Sequence, residues 1–330
     1  MKAFVTGGTG FIGSHVVDLL LENGHSVKLL SRKPDIPAWW KDRDVSVSAG
    51  DLRDPGQVVD AMQGSDVVYH IGEVRSTTAG NAAMNAGLVE RMVIALKASG
   101  VKRLVFVSSV TVAGIPLAIP GNEDTPASVV LRDQYTEYKR KAEEIIRQTG
   151  GGVEYAIVRP GVVYGPRSRH LGSLVDAIRR FGPLGLPFIG SGTNLMPLIH
   201  VKDLARAIYL AGTVPAAAGR TLNIIDGERR TWLAFFSAIA EAQRKRFRMI
   251  PVHPALAKVP AMFMDLFTGV FGQSLDLPSY VTYVSRDVHF DNGLARSVLG
   301  WDPAYHDLRD AARDMVAWYA KKKERGHGHP

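Results

Sequence analysis

The chain has 330 residues, and its 46% hydrophobic content is enough to bury one large core or two smaller ones. It contains no cysteine, which excludes disulfides, thiolate metal ligands and a cysteine nucleophile. We also predict that the protein has no metal site. The formal net charge is +8, but apart from Arg244–Arg246 and Lys321–Arg325 the basic residues are dispersed without interleaved aromatics, so we expect no nucleic-acid partner.

The first predicted element is a buried strand over the short apolar run Lys2–Thr6. The chain begins directly in this strand, without the basic, apolar and small-residue pattern of a secretory signal. No apolar run in the sequence approaches the roughly 20 residues of a membrane-spanning helix. We therefore expect a soluble, cytoplasmic protein.

A glycine-rich run, T-G-G-T-G-F-I-G, follows this strand. Apolar residues then recur with helical spacing over Val16–Leu21 until Gly24, and Val27–Leu30 predicts a second strand. This strand–turn–helix–strand order is typical of a dinucleotide site, because pyrophosphate binds where glycine backbone approaches it at a helix N-terminus. The spacing is G-x-x-G-x-x-G, and the alternative is a glycine-rich turn with no ligand. The predicted cofactor contacts in this run are Gly7, Gly10, Phe11, Ile12 and Gly13.

The end of the second strand bears on the choice of cofactor. An acidic residue there would bind the adenosine ribose 2′-hydroxyl and favour NAD. This chain has Ser31, Arg32 and Lys33 instead, and the two cations suit a 2′-phosphate, although an exposed basic turn is the plainer interpretation. We predict NADP as the preferred cofactor, with NAD use compatible with the sequence. Asp51, followed by Leu52, is the expected partner of the adenine edge.

Strand-like and helical runs alternate through the first half of the chain. Strands are predicted over Val67–Ile71, Leu104–Val107 and Tyr155–Val158, with helices around 85–99 and 135–148. Such alternation is typical of a parallel sheet covered by helices on both faces. The expected fold class is α/β, a Rossmann-type doubly wound parallel sheet with a smaller, mixed C-terminal substrate-binding part.

The alternation ends in the second half, where Pro and Gly cluster at 182–192 and 251–278. We therefore predict a cofactor-binding domain over 1–165 and a substrate-binding part over 166–330. The stretch 199–225 is expected to return to the first domain.

Three residues suggest proton transfer. Ser109 ends a predicted strand, and Tyr135 and Lys139 lie four apart on a predicted helix and so share one face. A phenol titrates near pH 10 in isolation, and an adjacent ammonium together with a cationic nicotinamide is expected to lower that pKa. Ser109 would hold the substrate oxygen, and Lys139 would also bind the cofactor ribose. The alternative is that Tyr135 is a plain surface tyrosine. Its neighbour Tyr138 has no lysine four residues on.

These motifs together resemble an extended short-chain dehydrogenase/reductase of the epimerase/dehydratase and hydroxysteroid-dehydrogenase grouping, over essentially the whole chain. Arg159–Pro166 is similar to the family's R-P-x-x-V-Y-G-P turn, His200–Ala205 to its H-V-x-D-L-A segment, and Leu299–Pro303 to its L-G-W-x-P. The resemblance implies reversible hydride transfer between a nicotinamide and an alcohol or ketone, and a homodimer. The further cofactor contacts that it implies are Ile71, Gly72, Pro160, Val162 and Val163.

Departures from the family pattern narrow the expected substrate. Sugar dehydratases carry an Asp-Glu pair where this chain has Val110 and Thr111, so dehydration is not expected. Sugar-nucleotide epimerases usually carry an asparagine and an arginine for the diphosphate where this chain has Val162 and Met196. Three arginines are candidates to replace those contacts: Arg167, Arg169 and Arg220.

The stretch 251–284 is unusually apolar. It is either ordinary core or a lid over an apolar substrate that contacts a membrane surface. Glu73 is a further oddity, because the family commonly has alanines beside the nicotinamide where this chain has Gly72 and Glu73, and the sequence leaves its orientation open.

The main hypothesis is therefore an NADP-preferring oxidoreductase that interconverts a secondary alcohol and a ketone on an apolar, sterol-like or flavonoid-like substrate. A sugar-nucleotide epimerase with transient oxidation is the alternative. A non-catalytic dinucleotide-binding protein is the third hypothesis, although the aligned Tyr-Lys pair argues against it.

Overall fold

A seven-stranded sheet organises the first two thirds of the chain in the computed structural model, which describes residues 1–32, 35–73, 79–148, 152–253 and 277–324. The strands are β1 (Lys2–Thr6), β2 (Ser26–Ser31), β3 (Val45–Ala49), β4 (Val67–His70), β5 (Arg103–Val107), β6 (Ile115–Pro116), β7 (Ala127–Val129), β8 (Glu154–Pro160), β9 (Val162–Tyr164), β10 (Leu186–Ile189), β11 (Leu195–Met196), β12 (Leu198–His200), β13 (Arg220–Ile224), β14 (Arg230–Thr231) and β15 (Met249–Val252). The α-helices are α1 (Phe11–Glu22), α2 (Pro55–Met62), α3 (Ala79–Ser99), α4 (Gln134–Arg147), α5 (Arg169–Phe181), α6 (Val201–Thr213), α7 (Trp232–Ala242), α8 (Leu277–Val284), α9 (Gly293–Leu299) and α10 (Leu308–Glu324).

The strand order is β13-β8-β5-β4-β1-β2-β3, and all neighbouring strands are parallel. The chain builds outward from β1 to β3 and then crosses back to β4 on the other side of β1. This reversal places the switch point between β1 and β4, where open α/β sheets bind their ligands beyond the carboxyl ends of the strands. The predicted Rossmann-type fold class is confirmed.

Helices cover both faces of the sheet because the side chains of each buried strand alternate between them. In β1, Val5 packs with α1 and α6 on one face, and Phe4 packs with α2, α3 and α4 on the other. In β5, Val105 faces the first cluster and Phe106 the second. Because both faces of the sheet are covered by apolar side chains, the sequences of these strands are continuous hydrophobic runs.

The helix starts are marked by capping side chains. Asp54, Asp133, Ser168 and Thr231 each accept a hydrogen bond from a backbone N–H three residues on, at the first turns of α2, α4, α5 and α7. Helix α1 differs, because its N-cap is Gly10 and, among the described residues, no side chain caps it.

The C-terminal part has a core of its own, in which α5, α7, α8 and α10 pack with the small sheets. The small sheets pair β6 with β7, β9 with β12, β10 with β15 and β11 with β14. Within the predicted returning stretch, α6 packs on the α1 face of the central sheet and β13 forms its edge. The division at residue 165 stays a prediction, and residues 254–276 of the predicted lid lie outside the described ranges.

None of the helices in the described ranges combines the length and the apolarity that crossing a membrane would require.

Candidate active site at the carboxyl edge of the sheet

The glycine turn joins β1 to α1 and packs against the end of β4. Gly7 has a φ of +70°, and a methyl group there would lie 2.5 Å from the Cα of Gly72. A methyl group on Gly13 would lie 2.1 Å from the carbonyl oxygen of Gly7. The turn therefore requires glycine at Gly7 for its left-handed backbone and at both positions for close approach. The N–H of Gly10 closes the turn by donating to the Gly7 carbonyl at 2.9 Å.

The N-terminus of α1 emerges from this turn. Its first residues, Phe11, Ile12 and Gly13, carry no acidic side chain. The uncapped backbone N–H groups and the positive end of the helix dipole favour an anion. A dinucleotide pyrophosphate fits this cradle, because the glycines leave it open and no carboxylate of the first turn competes for it.

The predicted adenosine end lies at β2 and β3. Ser31 is the last residue of β2, Arg32 is exposed, and Lys33 lies outside the described residues. The carboxylate of Asp51 accepts hydrogen bonds from the guanidinium of Arg53, at 3.0 Å from Nε and 2.6 Å from Nη2. These bonds hold the pKa of Asp51 below its ordinary value. Arg53 was not predicted from the sequence, although its position two residues after Asp51 permits this local ion pair.

The structure brings the three predicted catalytic residues together. Ser109 follows β5 and caps a short 3₁₀ helix, Val110–Ala113, while Tyr135 and Lys139 lie in the first turns of α4. The Ser109 Oγ accepts hydrogen bonds from the backbone N–H and the Oγ1 of Thr111, at 3.2 and 3.0 Å. Ser109 also lies within hydrogen-bonding reach of the Tyr135 hydroxyl. Since Ser109 already accepts twice, its own O–H remains to be donated on this side of the site.

Lys139 is buried among oxygen acceptors and aromatic rings. Its Nζ donates to the carbonyl oxygen of Val107 at 2.9 Å and lies 3.0 Å from the Glu73 Oε2. It also lies 5.6 Å from the ring centre of Tyr135 and 5.0 Å from that of Tyr138. Burial alone would lower the pKa of Lys139, but Glu73, Tyr135 and Glu143 together outweigh burial and raise it. Glu73 therefore faces the site, which resolves the orientation that the sequence left open.

The expected lowering of the Tyr135 pKa does not result from the protein's own groups. Burial raises the pKa of Tyr135 above its ordinary value, and the Glu73 carboxylate raises it further. Lys139 and the Ser109 hydrogen bond act in the predicted direction but do not outweigh burial. The lysine does not lower the pKa by itself, because desolvation and Glu73 oppose it. The share that was expected of a bound, cationic nicotinamide stays a prediction.

A second buried ion network lies next to the site and joins α4 to the sheet. Glu143, one turn after Lys139, accepts hydrogen bonds from the guanidinium of Arg159 at 2.9 and 2.6 Å. It also accepts from the Ser108 hydroxyl and from Arg147, each at 2.6 Å. Burial would raise the pKa of Glu143, but these donors lower it below its ordinary value. The network connects α4 to the ends of β5 and β8, and reasoning from the sequence missed both Glu143 and Ser108.

The remaining predicted cofactor contacts lie along the same edge. Ile71 and Gly72 follow β4, and Pro160 is the last residue of β8. Val162 and Val163 belong to β9, which pairs with β12 through Leu198 and Ile199. Leu52, the residue after Asp51, packs on the α2 and α3 side of the sheet. The contacts of all these residues with a cofactor stay predictions.

The three arginines considered as diphosphate contacts differ in position. Arg167 forms an ion pair with Asp18 of α1 at 2.6 Å. Arg220 is the first residue of β13 and so lies at the amino edge of the parallel sheet, about 13 Å from the site edge at a strand rise of 3.3 Å per residue. The side chain of Arg169 lies outside the described part of the structure. Val162 and Met196, at the positions of the expected polar contacts, are buried.

Comparison with known proteins identifies a family for this chain. The model of the NAD dependent epimerase/dehydratase family matches residues 3–224. The 3beta-hydroxysteroid-dehydrogenase/decarboxylase isoform 2 of Arabidopsis thaliana is 28% identical over an alignment that covers 91% of this chain and 58% of that protein. The 3 beta-hydroxysteroid dehydrogenase/Delta 5-->4-isomerase of Mycobacterium tuberculosis is 27% identical, with 96% of this chain and 90% of that protein covered.

Solved structures share the fold. A UDP-glucose-4-epimerase from Stenotrophomonas maltophila with bound NAD superposes with a TM-score of 0.77 over 99% of this chain and all of that one (100%), at 21% sequence identity.

Proposed function

The chain belongs to the NAD-dependent epimerase/dehydratase family, and on that premise we propose that it is an NAD(P)-dependent oxidoreductase of the extended short-chain dehydrogenase type. It interconverts a secondary alcohol and a ketone on an apolar, sterol-like or flavonoid-like substrate. The observation that carries this proposal is the meeting of Ser109, Tyr135 and Lys139 at the carboxyl edge of the sheet.

In the proposed mechanism the protein supplies proton transfer and orientation, and a bound nicotinamide accepts or delivers the hydride. The Tyr135 oxygen takes the hydroxyl proton of the alcohol as the carbonyl forms, and returns it in the reverse direction. The Ser109 hydroxyl has a single O–H, which in this mechanism it donates to the substrate oxygen beside Tyr135. The ammonium of Lys139 stabilises the phenolate and donates to the cofactor ribose. One of its three N–H groups has no acceptor among the described residues.

We propose NADP as the preferred cofactor. The end of β2 presents Ser31 and the exposed Arg32 rather than a carboxylate, and Arg32 lies close enough to Asp51 to lower the pKa of that carboxyl. A 2′-phosphate would therefore meet a cation. Lys33, the second cation of the proposal, lies outside the described ranges.

The proposal of an apolar substrate is supported by the absence, at the expected positions, of side chains that would bind the diphosphate of a nucleotide sugar. Val162 and Met196 are buried and apolar at the positions where epimerases carry polar contacts. Arg167 is already paired with Asp18, and Arg220 lies at the opposite edge of the sheet. The 3β-hydroxysteroid names of the two relatives described above point to the same substrate class.

We also propose contact with a membrane surface and a homodimer. Three apolar side chains are exposed: Phe181 at the end of α5, Leu184 on the turn after it, and Ile250 on β15. Strand β15 pairs directly with β10. Five basic residues in the same stretches of chain are also exposed: Arg180, Arg244, Lys245, Arg246 and Arg248. Exposed apolar side chains together with basic ones suit an anionic lipid surface. For the dimer, the outer face of α3 offers Ile94, which is 64% exposed.

The test is the nicotinamide absorbance of the purified protein supplied with NADP or NAD and a panel of sterols, other apolar alcohols and nucleotide sugars. We expect net reduction of the cofactor by an apolar alcohol, with NADP more effective than NAD. Isomerisation of a nucleotide sugar without any absorbance change would establish the epimerase alternative instead. Cofactor binding without turnover of any member of the panel would favour the non-catalytic hypothesis.

A further inference from the structure

Glu73 brings a carboxylate into the centre of the site. It follows Gly72, whose N–H donates to the Thr6 hydroxyl at 3.2 Å and whose backbone packs against Gly7. The backbone that precedes Glu73 is therefore fixed beside the glycine turn, at the switch point of the sheet. Its Oε2 reaches 3.0 Å from the Lys139 Nζ, and its side chain is 27% exposed whereas that of Lys139 is 5% exposed.

This pairing changes the charge of the site. With a lysine alone, the protein would place one uncompensated positive charge beside Tyr135. With Glu73 in contact, the two side chains sum to zero. The carboxylate is the more exposed member of the pair, so its field also reaches the more open side of the pair.

The two redox forms of a nicotinamide cofactor differ in charge at the ring. The oxidised ring is cationic and the reduced ring is neutral, while the phosphates are the same in both forms. Only an interaction that differs between two forms can shift the balance between them. A fixed charge near the ring is such an interaction, whereas contacts with the phosphates or the adenine are not.

We propose that Glu73 sets the redox preference of the cofactor site: by compensating Lys139 it favours binding of the oxidised nicotinamide, which makes the bound cofactor harder to reduce and so poises the enzyme for ketone reduction. This inference rests on the proposed function, because it presumes a nicotinamide beside Lys139. It assigns a reaction direction that the fold and the catalytic set leave open.

The other ionisable groups around Lys139 do not duplicate this effect. His70 of β4 is buried, and burial together with Lys139 lowers its pKa to about 3, so it is neutral at pH 7. Glu143 of α4 is bound by Arg159 and Arg147. Tyr138 of α4 has its pKa raised by burial and is neutral as well. Glu73 is therefore the anion near Lys139, among the described residues, that is not already bound to an arginine.

The experiment is a binding titration without substrate, so that it needs no knowledge of the substrate. The dissociation constants of oxidised and reduced NADP are measured by fluorescence for wild type, Glu73→Gln and Glu73→Asp, each checked for folding by its melting temperature. We expect Glu73→Gln to raise the ratio of the oxidised to the reduced dissociation constant about tenfold, the size of a partly screened interaction between two single charges. Glu73→Asp keeps the charge and should retain most of the wild-type ratio.

Glu137→Gln is the matched control. Glu137 is an exposed carboxylate on α4 that pairs with Arg140 at 2.6 Å, and its loss should leave the ratio unchanged. An unchanged ratio in Glu73→Gln, with both cofactor forms still bound, would overturn the inference and leave the proposed function intact. If wild type bound neither form, the proposed function and the inference would fail together.

A second readout separates a charge effect from a merely structural one. The Glu73 carboxylate raises the pKa of Tyr135, so its removal should lower that pKa. Alcohol oxidation requires the Tyr135 phenolate. The acid limb of the pH profile of the oxidation rate should therefore move to lower pH in Glu73→Gln. A structural role alone would lower the rate without moving the limb, which also counts against the inference.

Discussion

The closest approach in the site joins Gly13 to Gly7, where an added methyl group would lie 2.1 Å from a carbonyl oxygen. We expect Gly13→Ala to force the turn open and to weaken cofactor binding by a factor of ten or more, because the cradle is formed by that backbone. The measurement is the dissociation constant of NADP together with the melting temperature.

The matched control is Gly87→Ala on α3, where an added methyl group meets nothing within 4 Å. Alanine in a helix interior is favoured over glycine by about 1 kcal/mol, so this variant should melt no lower than wild type and bind NADP normally. Normal NADP affinity in Gly13→Ala would show that the turn does not contact the pyrophosphate.

Single residues were predictable from the sequence where their motif is local. Gly7, Gly13 and the Tyr135-Lys139 pair each follow a short spacing rule, and the structure brings them to one edge. The ion pair between Glu73 and Lys139 was not predictable, because it joins the end of β4 to α4 and so depends on how those two elements pack. The raised pKa of Tyr135 depends on burial, which no local spacing reports.

At the scale of elements, Glu143 connects α4 to β8 and to the end of β5. We expect Glu143→Gln to lower the free energy of unfolding by about 3 kcal/mol, because the substitution leaves the buried Arg159 without its counter-charge. Urea unfolding measures this loss. The exposed pair of Glu137 and Arg140 is the control, and Glu137→Gln should cost less than about 1 kcal/mol.

The same network predicts a dependence of stability on pH. The pKa of Glu143 is lower in the folded protein than its ordinary value, so its contribution is present above the unfolded carboxyl pKa of about 4.3. That contribution is lost as the pH falls through the folded pKa. The difference in unfolding free energy between wild type and Glu143→Gln should therefore be constant near neutrality and shrink below about pH 4. A constant difference down to pH 2 would contradict the assignment.

Most elements of the sheet could be predicted, because strands buried on both faces form apolar runs that alternate with helical spacing. The predicted first and last residues of the helices were less accurate than their existence. Helix α3 begins at Ala79 rather than near 85, and α1 begins at Phe11, within the glycine run itself. The strand order was not predictable in detail, because pairing of β13 with β8 joins segments that are far apart in the chain.

At the scale of the whole molecule, the basic and apolar surface around Leu184 predicts membrane association. We expect the protein to sediment with vesicles that contain about one third phosphatidylserine and not with neutral vesicles, since each basic residue near an anionic surface contributes about 1 kcal/mol. Leu184→Asp with Ile250→Asp should abolish sedimentation without loss of fold, because both side chains are exposed. Equal binding of the variant, or binding to nucleic acid in place of vesicles, would contradict this prediction.

The overall class of the protein was predictable from ordered motifs, whereas its substrate was not. The apolar segment 251–284 suggested the substrate class, but residues 254–276 lie outside the described ranges. The argument for an apolar substrate therefore depends on Val162, Met196 and the positions of Arg167 and Arg220.

The central claim is that Tyr135 transfers the proton in a hydride-transfer reaction. The most direct measurement is the turnover of Tyr135→Phe, compared with wild type and with Tyr138→Phe, on the alcohol that proves active. General acid–base catalysis contributes a factor of about 10² to 10⁴, so Tyr135→Phe should lose turnover by that factor while still binding NADP. Tyr138→Phe, which removes a hydroxyl from the same helix, should stay within a few-fold of wild type. Undiminished turnover in Tyr135→Phe would contradict the account.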